Sequence, residues 1–219
     1  MSLPPILAKL PLPVIGSPLF IISNPKLVIE QCKAGIVGSM PALNARPAEQ
    51  LDEWLAEITE TLAAHDRANP DKPAAPFAIN QIVHKTNDRL EHDMEVMIRY
   101  KAPIVITSLG ARTDVNDAVH AYGGSVWADV TTLAHARKAV AAGVDGLILV
   151  CAGGGGHTGE LSPFAFVEAV RNFWNGLLVV AGCVSSGRAI GAARLLGADL
   201  VSIGTRFIAT QESFACPEY

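Results

Sequence analysis

The sequence predicts an α/β fold, a (β/α)8 or TIM barrel formed as a single domain over residues 1–219, and three observations carry that prediction. Short β-rich runs recur, each followed by a polar or glycine-bearing turn and then an Ala- and Leu-rich stretch of helical period. Leu147-Ile148-Leu149-Val150 and Leu177-Leu178-Val179-Val180 are continuously aliphatic, as parallel strands buried on both faces must be. Finally, Ala142-Gly143-Val144-Asp145-Gly146-Leu147-Ile148 echoes Leu196-Gly197-Ala198-Asp199-Leu200-Val201. In both, a helix ends on a glycine able to take the left-handed cap, and the chain re-enters a strand within a few residues.

In chain order, strands are expected at Pro13–Leu19, Gly35–Met40, Pro76–Ile82, Pro103–Leu109, Ser125–Val130, Gly146–Cys151, Leu177–Ala181 and Leu200–Ile203. Helices are expected at Pro47–Ala64, Asp88–Tyr100, Asp114–Tyr122, Leu133–Ala142, Pro163–Asn172 and Gly187–Leu196. Repeated units of this kind favour a closed barrel over an open doubly wound sheet with fewer strands, which is the competing architecture. Asn69 to Pro76 is linker-like, but as a helix-to-strand connection it does not split the domain. After the last strand, Arg206 to Tyr219 are too few for a closing helix and a lid segment, so both are expected to be short or missing.

Composition narrows the function classes. With 219 residues, 50% hydrophobic and only 17% charged, the chain must collapse around a large core. Its 17 basic and 21 acidic side chains leave a net charge of −4, so no cationic field draws it to nucleic acid or to anionic membranes. Cys32, Cys151, Cys183 and Cys216 lie far apart with no Cys-x-x-Cys pair, and read as reduced, mostly buried thiols. The N-terminus lacks the pattern of a secretory signal, and no apolar run is long enough to span a bilayer, so a cytoplasmic protein is expected.

In a barrel of this kind the chemistry gathers at the C-terminal ends of the strands. The densest signal follows the sixth strand, where Gly153 to Gly156 precede His157, Thr158 and Gly159. Glycines let backbone amides approach a flat or anionic ligand, and a histidine beside them is a candidate base. A plain surface turn with a solvated histidine is the alternative. Ala181-Gly182-Cys183-Val184-Ser185-Ser186-Gly187-Arg188 and Gly204-Thr205-Arg206-Phe207 end the next two strands, where barrels often bind a phosphate. Arg206 would pair either with that phosphate or with a rim carboxylate. Gly16-Ser17-Pro18-Leu19-Phe20 ends the first strand and is expected to bare backbone to a ligand. Asn80 ends the third, and its carboxamide can both donate and accept at a heteroaromatic ring edge. The remaining histidines have no ligand-spaced partners, so no metal is expected, and Asp145 and Asp199 fall on the opposite face, where residues serve stability.

On these residues the sequence resembles the nitronate monooxygenase family, FMN-dependent (β/α)8 enzymes once called 2-nitropropane dioxygenases. The likeness runs from about Val14 to Glu212. It rests on Gly-Gly-His-x-Gly at Gly155 to Gly159, Ala-Gly-x-x-Ser-x-Gly-Arg at Ala181 to Arg188, and Leu-Gly-Ala-Asp with Gly-Thr-Arg-Phe-x-Ala-Thr between Leu196 and Thr210. The resemblance implies an FMN whose ring faces Pro18, Leu19, Phe20 and Asn80, with Gly155 close to it and Asp129 among its neighbours. It further implies that Gly182, Cys183, Gly204 and Thr205 hold the phosphate, that Ala181 also belongs to the cofactor site, and that His157 is the catalytic histidine. The implied reaction oxidises an alkyl nitronate, or a nitroalkane, with O2 to a carbonyl compound and nitrite. Flavin-dependent reduction of quinones or enoyl thioesters by NADH or NADPH is the nearest alternative. A flavin-free phosphate-binding barrel and a non-catalytic FMN carrier are the others. A small-molecule substrate is the expected partner, and a homodimer is left open. Two departures stand out: some members carry lysine near the flavin where this chain has Asp129, and members continue well past the position of Tyr219.

Overall fold

The computed structural model describes residues 4–216. Its strands are β1 (Val14–Gly16), β2 (Gly38–Pro41), β3 (Phe77–Ile82), β4 (Ile104–Ser108), β5 (Ser125–Val130), β6 (Gly146–Val150), β7 (Leu177–Ala181) and β8 (Leu200–Ile203). All pair in parallel in the order β1-β8-β7-β6-β5-β4-β3-β2. A bridge between Ile15 and Val37 joins the two ends of that series. There the Gly16 amide donates to Val37 O at 2.9 Å and the Val37 amide to Val14 O at 3.1 Å. The barrel is therefore closed by strand pairing, and no open sheet edge remains between β1 and β2.

Alternate residues along each strand fill the interior. Ile15, Val37, Ala78, Ile104, Ile106, Trp127, Ile148, Leu177, Val179 and Leu200 form one buried cluster inside the ring. Leu7, from a single helical turn at Pro5–Leu7, is fully buried in the same cluster and stoppers it. The intervening residues, such as Ile79, Val105, Leu147, Leu149 and Val180, face the other way into a larger cluster shared with the helices. This double burial is the physical reason that the central strands read as unbroken aliphatic runs.

The helices are α1 (Pro25–Lys33), α2 (Gln50–Ala68), α3 (Leu90–Arg99), α4 (Thr113–Ala121), α5 (Leu133–Ala141), α6 (Pro163–Arg171), α7 (Gly187–Leu196) and α8 (Thr205–Ile208). One of them falls outside expectation. α1 was not foreseen, although Asn24 caps it by accepting from the Leu27 amide at 3.2 Å and Pro25 occupies its first position. Its Val28-Ile29 pair and the strands on either side mask its helical period. After β8 the closing helix is short, as expected: α8 is 4 residues long.

The internal repeat is a single structural device used twice. Gly143 and Gly197 take left-handed φ values of 86° and 114°. The aspartate two residues later reaches back to the preceding strand: Asp145 Oδ2 accepts from the Val126 amide at 2.7 Å, and Asp199 Oδ2 from the Leu178 amide at 2.8 Å. His120 and Arg171 pair with these carboxylates at 2.9 and 2.8 Å. Among the described residues, no helix is long and apolar enough to cross a membrane.

Candidate active site

The floor of the barrel mouth is set by strand alternation. Two residues beyond the interior side chains Ala78, Ile106 and Trp127 come Asn80, Ser108 and Asp129, so all three face inward at the C-terminal ends of neighbouring strands. They are bonded in series. The Asn80 Nδ2 group donates to Ile106 O at 3.1 Å and to Ser108 Oγ at 2.6 Å, and Ser108 Oγ donates to Asp129 Oδ2 at 2.6 Å. Asn80 and Ser108 are 8% exposed, so this chain of polar groups is largely withdrawn from water. Burial pushes the Asp129 carboxyl up to about 6, against the smaller opposing effect of the Ser108 hydrogen bond. On the other side of the mouth Ser17 and Ser202 share a hydrogen bond at 2.6 Å.

The rim is built from the loops after β6, β7 and β8. Thr158 folds the first of these back on its own strand: its hydroxyl donates to Cys151 O at 2.8 Å and accepts from the Gly154 amide at 3.2 Å. Gly155, Gly156 and His157 are left exposed at the tip. A Cβ added at Gly155 would have Thr205 Oγ1 as its nearest neighbour, 3.6 Å away, and one at Gly156 would meet nothing within 4 Å. The β6 loop thus lies against the end of β8 with room above its backbone. After β7, Gly182 has φ 114° and Cys183 φ 57°, a left-handed pair that few sequences can adopt. Here the loops after β6 and β7 touch: the Cys183 thiol donates to Gly153 O at 3.1 Å, and a Cβ on Gly182 would come within 3.0 Å of Cys151 O. α7 begins directly after, with the Ser186 side chain accepting from the Ala189 amide. Among the described residues Arg206 forms no rim ion pair. Its Nε donates to Ser185 O at 3.0 Å and ties the β7 loop to α8. Next to Thr205 a cavity of about 460 Å³ opens between α8 and the segment carrying Thr210, Ser213 and Cys216.

Around β1 the sequence reading needs one correction. Gly16 does not bare backbone to a ligand; a Cβ there would lie 2.3 Å from Gln31 Nε2, so the glycine makes room for a side chain of α1. Pro18 and Leu19 are half-buried, and a Cβ on Gly204 would lie 3.2 Å from Leu19 Cδ2, which places that loop beside the end of β8. Phe20 is 57% exposed with the Arg46 guanidinium 5.1 Å above its ring. Asn44, not singled out in the sequence, pins this loop: its Nδ2 donates to Leu19 O at 2.9 Å and Ser23 O at 2.8 Å, and its Oδ1 accepts from the Ile21 amide at 2.9 Å.

The structure brings the candidate residues together in two sets. Asn80 and Asp129 meet through Ser108 on the floor, while Gly155, Ala181, Gly182, Cys183, Gly204 and Thr205 ring the ends of β6, β7 and β8. Ser108 was also missed, yet it was within reach of the rule that selected Asn80, since it is the last residue of its strand.

Comparison with known proteins gives a consistent set of similarities. The family model described as nitronate monooxygenase matches residues 6–218. A carboxyl-CoA dehydrogenase acting on a hydroxy-methyl-oxo-octahydroindene, from Rhodococcus jostii, is 27% identical over 92% of this chain and 53% of its own length. A nitronate monooxygenase from Neurospora crassa is 28% identical over 94% of this chain and 62% of its own length. FabK from Thermotoga maritima superposes with a TM-score of 0.80 at 28% identity, over 94% of this chain and 62% of that one. The chain thus spans about half to two thirds of the length of these relatives.

Proposed function

The chain belongs to the nitronate monooxygenase family, and on that premise we propose that it binds FMN and oxidises alkyl nitronates, or nitroalkanes, with O2 to carbonyl compounds and nitrite. The observation that carries this reading is the convergence at one end of the barrel of three glycine-bearing loops around an inward-facing polar floor. The residues present fit the cofactor. Above Gly156 there is open space, the left-handed turn at Gly182 and Cys183 turns backbone towards the β6 loop, and Asn80 keeps its Oδ1 without a protein partner among the described residues.

On this reading Ala181, Gly182, Cys183, Gly204 and Thr205 hold the phosphate through backbone amides and the Thr205 hydroxyl. Pro18, Leu19 and Phe20 supply an apolar wall for the ring, and Asn80 and Asp129 meet its polar edge. Bound FMN supplies a two-electron acceptor that can afterwards be reoxidised by dioxygen. His157 takes the α-proton of a neutral nitroalkane when its imidazole is free, and holds the negative charge of a nitronate when it is protonated. Its place on a glycine-rich tip lets it approach the mouth without reshaping the barrel.

The test is the visible absorption spectrum of the purified protein reconstituted with FMN, followed anaerobically as a nitronate is added. Flavin bands that bleach on addition and return with air, with nitrite released, are expected; a protein that binds no flavin ends the proposal. The likeness to a carboxyl-CoA dehydrogenase supports a second reading, flavin-dependent redox chemistry on a thioester. Steady oxidation of NADH or NADPH in the presence of an enoyl thioester or quinone, without nitrite release from nitronates, would decide for it.

A further inference from the structure

The hydrogen bonds on the floor of the mouth run in one direction only, and this direction constrains what can bind there. Ile106 O is a carbonyl and can only accept, so the atom of Asn80 that faces it at 3.1 Å must be the amide nitrogen. The second hydrogen of that nitrogen goes to Ser108 Oγ at 2.6 Å. Ser108 has a single hydroxyl hydrogen, and it is spent on Asp129 Oδ2 at 2.6 Å. Both donors of Asn80 are therefore consumed. Its Oδ1 and the second oxygen of Asp129 have no protein partner among the described residues, and neither is among the sealed, unsatisfied atoms, so both open on the mouth. A carboxamide that could in principle donate or accept has become an acceptor.

We propose that Ser108 and Asp129 are positioning residues that, together with the Ile106 carbonyl, hold Asn80 as a hydrogen-bond acceptor, so that the mouth selects a ligand ring presenting an N–H edge. The inference rests on the FMN reading: the oxidised isoalloxazine carries one ring N–H, at N3, between two carbonyls. Without Ser108 the Asn80 amide is held by the Ile106 carbonyl alone, so its nitrogen is less firmly fixed and its Oδ1 less firmly presented to the mouth. Asp129 matters as the terminal acceptor that orients the Ser108 hydroxyl. An amide in its place keeps a carbonyl oxygen for that hydroxyl, whereas alanine does not.

The experiment compares dissociation constants of the full chain for FMN and for N3-methyl-FMN, read from flavin fluorescence, in the parent protein and in Ser108→Ala, Asp129→Ala and Asp129→Asn. Leaving a desolvated acceptor unmet costs enough to expect at least about a tenfold preference of the parent for FMN. That preference should shrink in Ser108→Ala and Asp129→Ala and be retained in Asp129→Asn, a rescue that a purely structural role of the carboxylate would not produce. Equal binding of the two flavins by the parent overturns this inference and leaves the FMN reading intact. So does a preference that survives unchanged in all three variants, which would mean steric exclusion of the methyl group. Failure of the folded parent to bind either flavin overturns the functional reading and this inference with it.

Discussion

A histidine at the tip of an exposed glycine-rich loop owes nothing to the core, so its substitution tests chemistry with little cost in stability. His157 is such a residue. His157→Asn keeps hydrogen-bonding capacity but removes the base, and turnover of neutral nitroalkanes is expected to fall by about 100-fold or more. Preformed nitronates, which have already lost the proton, should be affected much less. Nitrite release from the two substrate forms measures the contrast, and equal rates for mutant and parent on a neutral nitroalkane would remove the histidine from the mechanism. At the same scale, the sequence showed which residue types lay at strand ends but not why each was there. Gly16 and Gly182 look alike on paper; one yields space to Gln31, and the other takes a φ of 114° against the Cys151 carbonyl.

Among the elements, α1 shows how a cap can outweigh an ambiguous pattern. Asn24 is 1% exposed and does two jobs: its Oδ1 accepts from the Leu27 amide, and its Nδ2 donates to Glu212 O at 2.7 Å, joining the first helix to the last segment described. Asn24→Ala removes both and is expected to destabilise the chain by about 1 to 2 kcal/mol. Asn24→Asp keeps the cap acceptor and should lose less. Urea midpoints at unchanged m-value measure the difference, and a neutral Asn24→Ala would show that the cap is satisfied by other means. The signal for this helix, Asn-Pro followed by apolar residues at Leu27, Val28 and Cys32, was present in the sequence. Its short length between two strands made it compete with an extended reading, and only packing of Val28, Ile29 and Cys32 against the barrel decides for the helix.

For the molecule as a whole, the acceptor-lined floor carries a cost in stability that depends on pH. Asp129 has an ordinary value of 3.8 and is raised to about 6 in the folded chain. Between those values the folded state binds more protons than the unfolded one, so this group's contribution improves as pH falls from about 6 towards 4 and is least favourable above 6. Asp129→Asn, which is neutral throughout, should therefore be more stable than the parent near pH 7 and lose that advantage near pH 4. The difference between the two urea midpoints at each pH isolates the group from the other carboxylates. An unchanged difference across that range would place Asp129 in contact with water in the folded state. A barrel that keeps such a carboxyl at its mouth has given up some stability at that end.

The sequence by itself determined the α/β barrel class, the order and approximate bounds of its eight strands, and the end of the barrel at which glycines and the histidine gather. It could do so because double-sided burial, helix period and glycine caps are local signals written within a few residues of one another. What only the tertiary structure decided is partnership across strands. Closure through Ile15 and Val37, the meeting of Gly155 with Thr205, and the series Asn80, Ser108, Asp129 each join residues more than twenty positions apart. Their proximity and the direction of each hydrogen bond follow from register and strand parity around the whole ring, which no single stretch of chain contains.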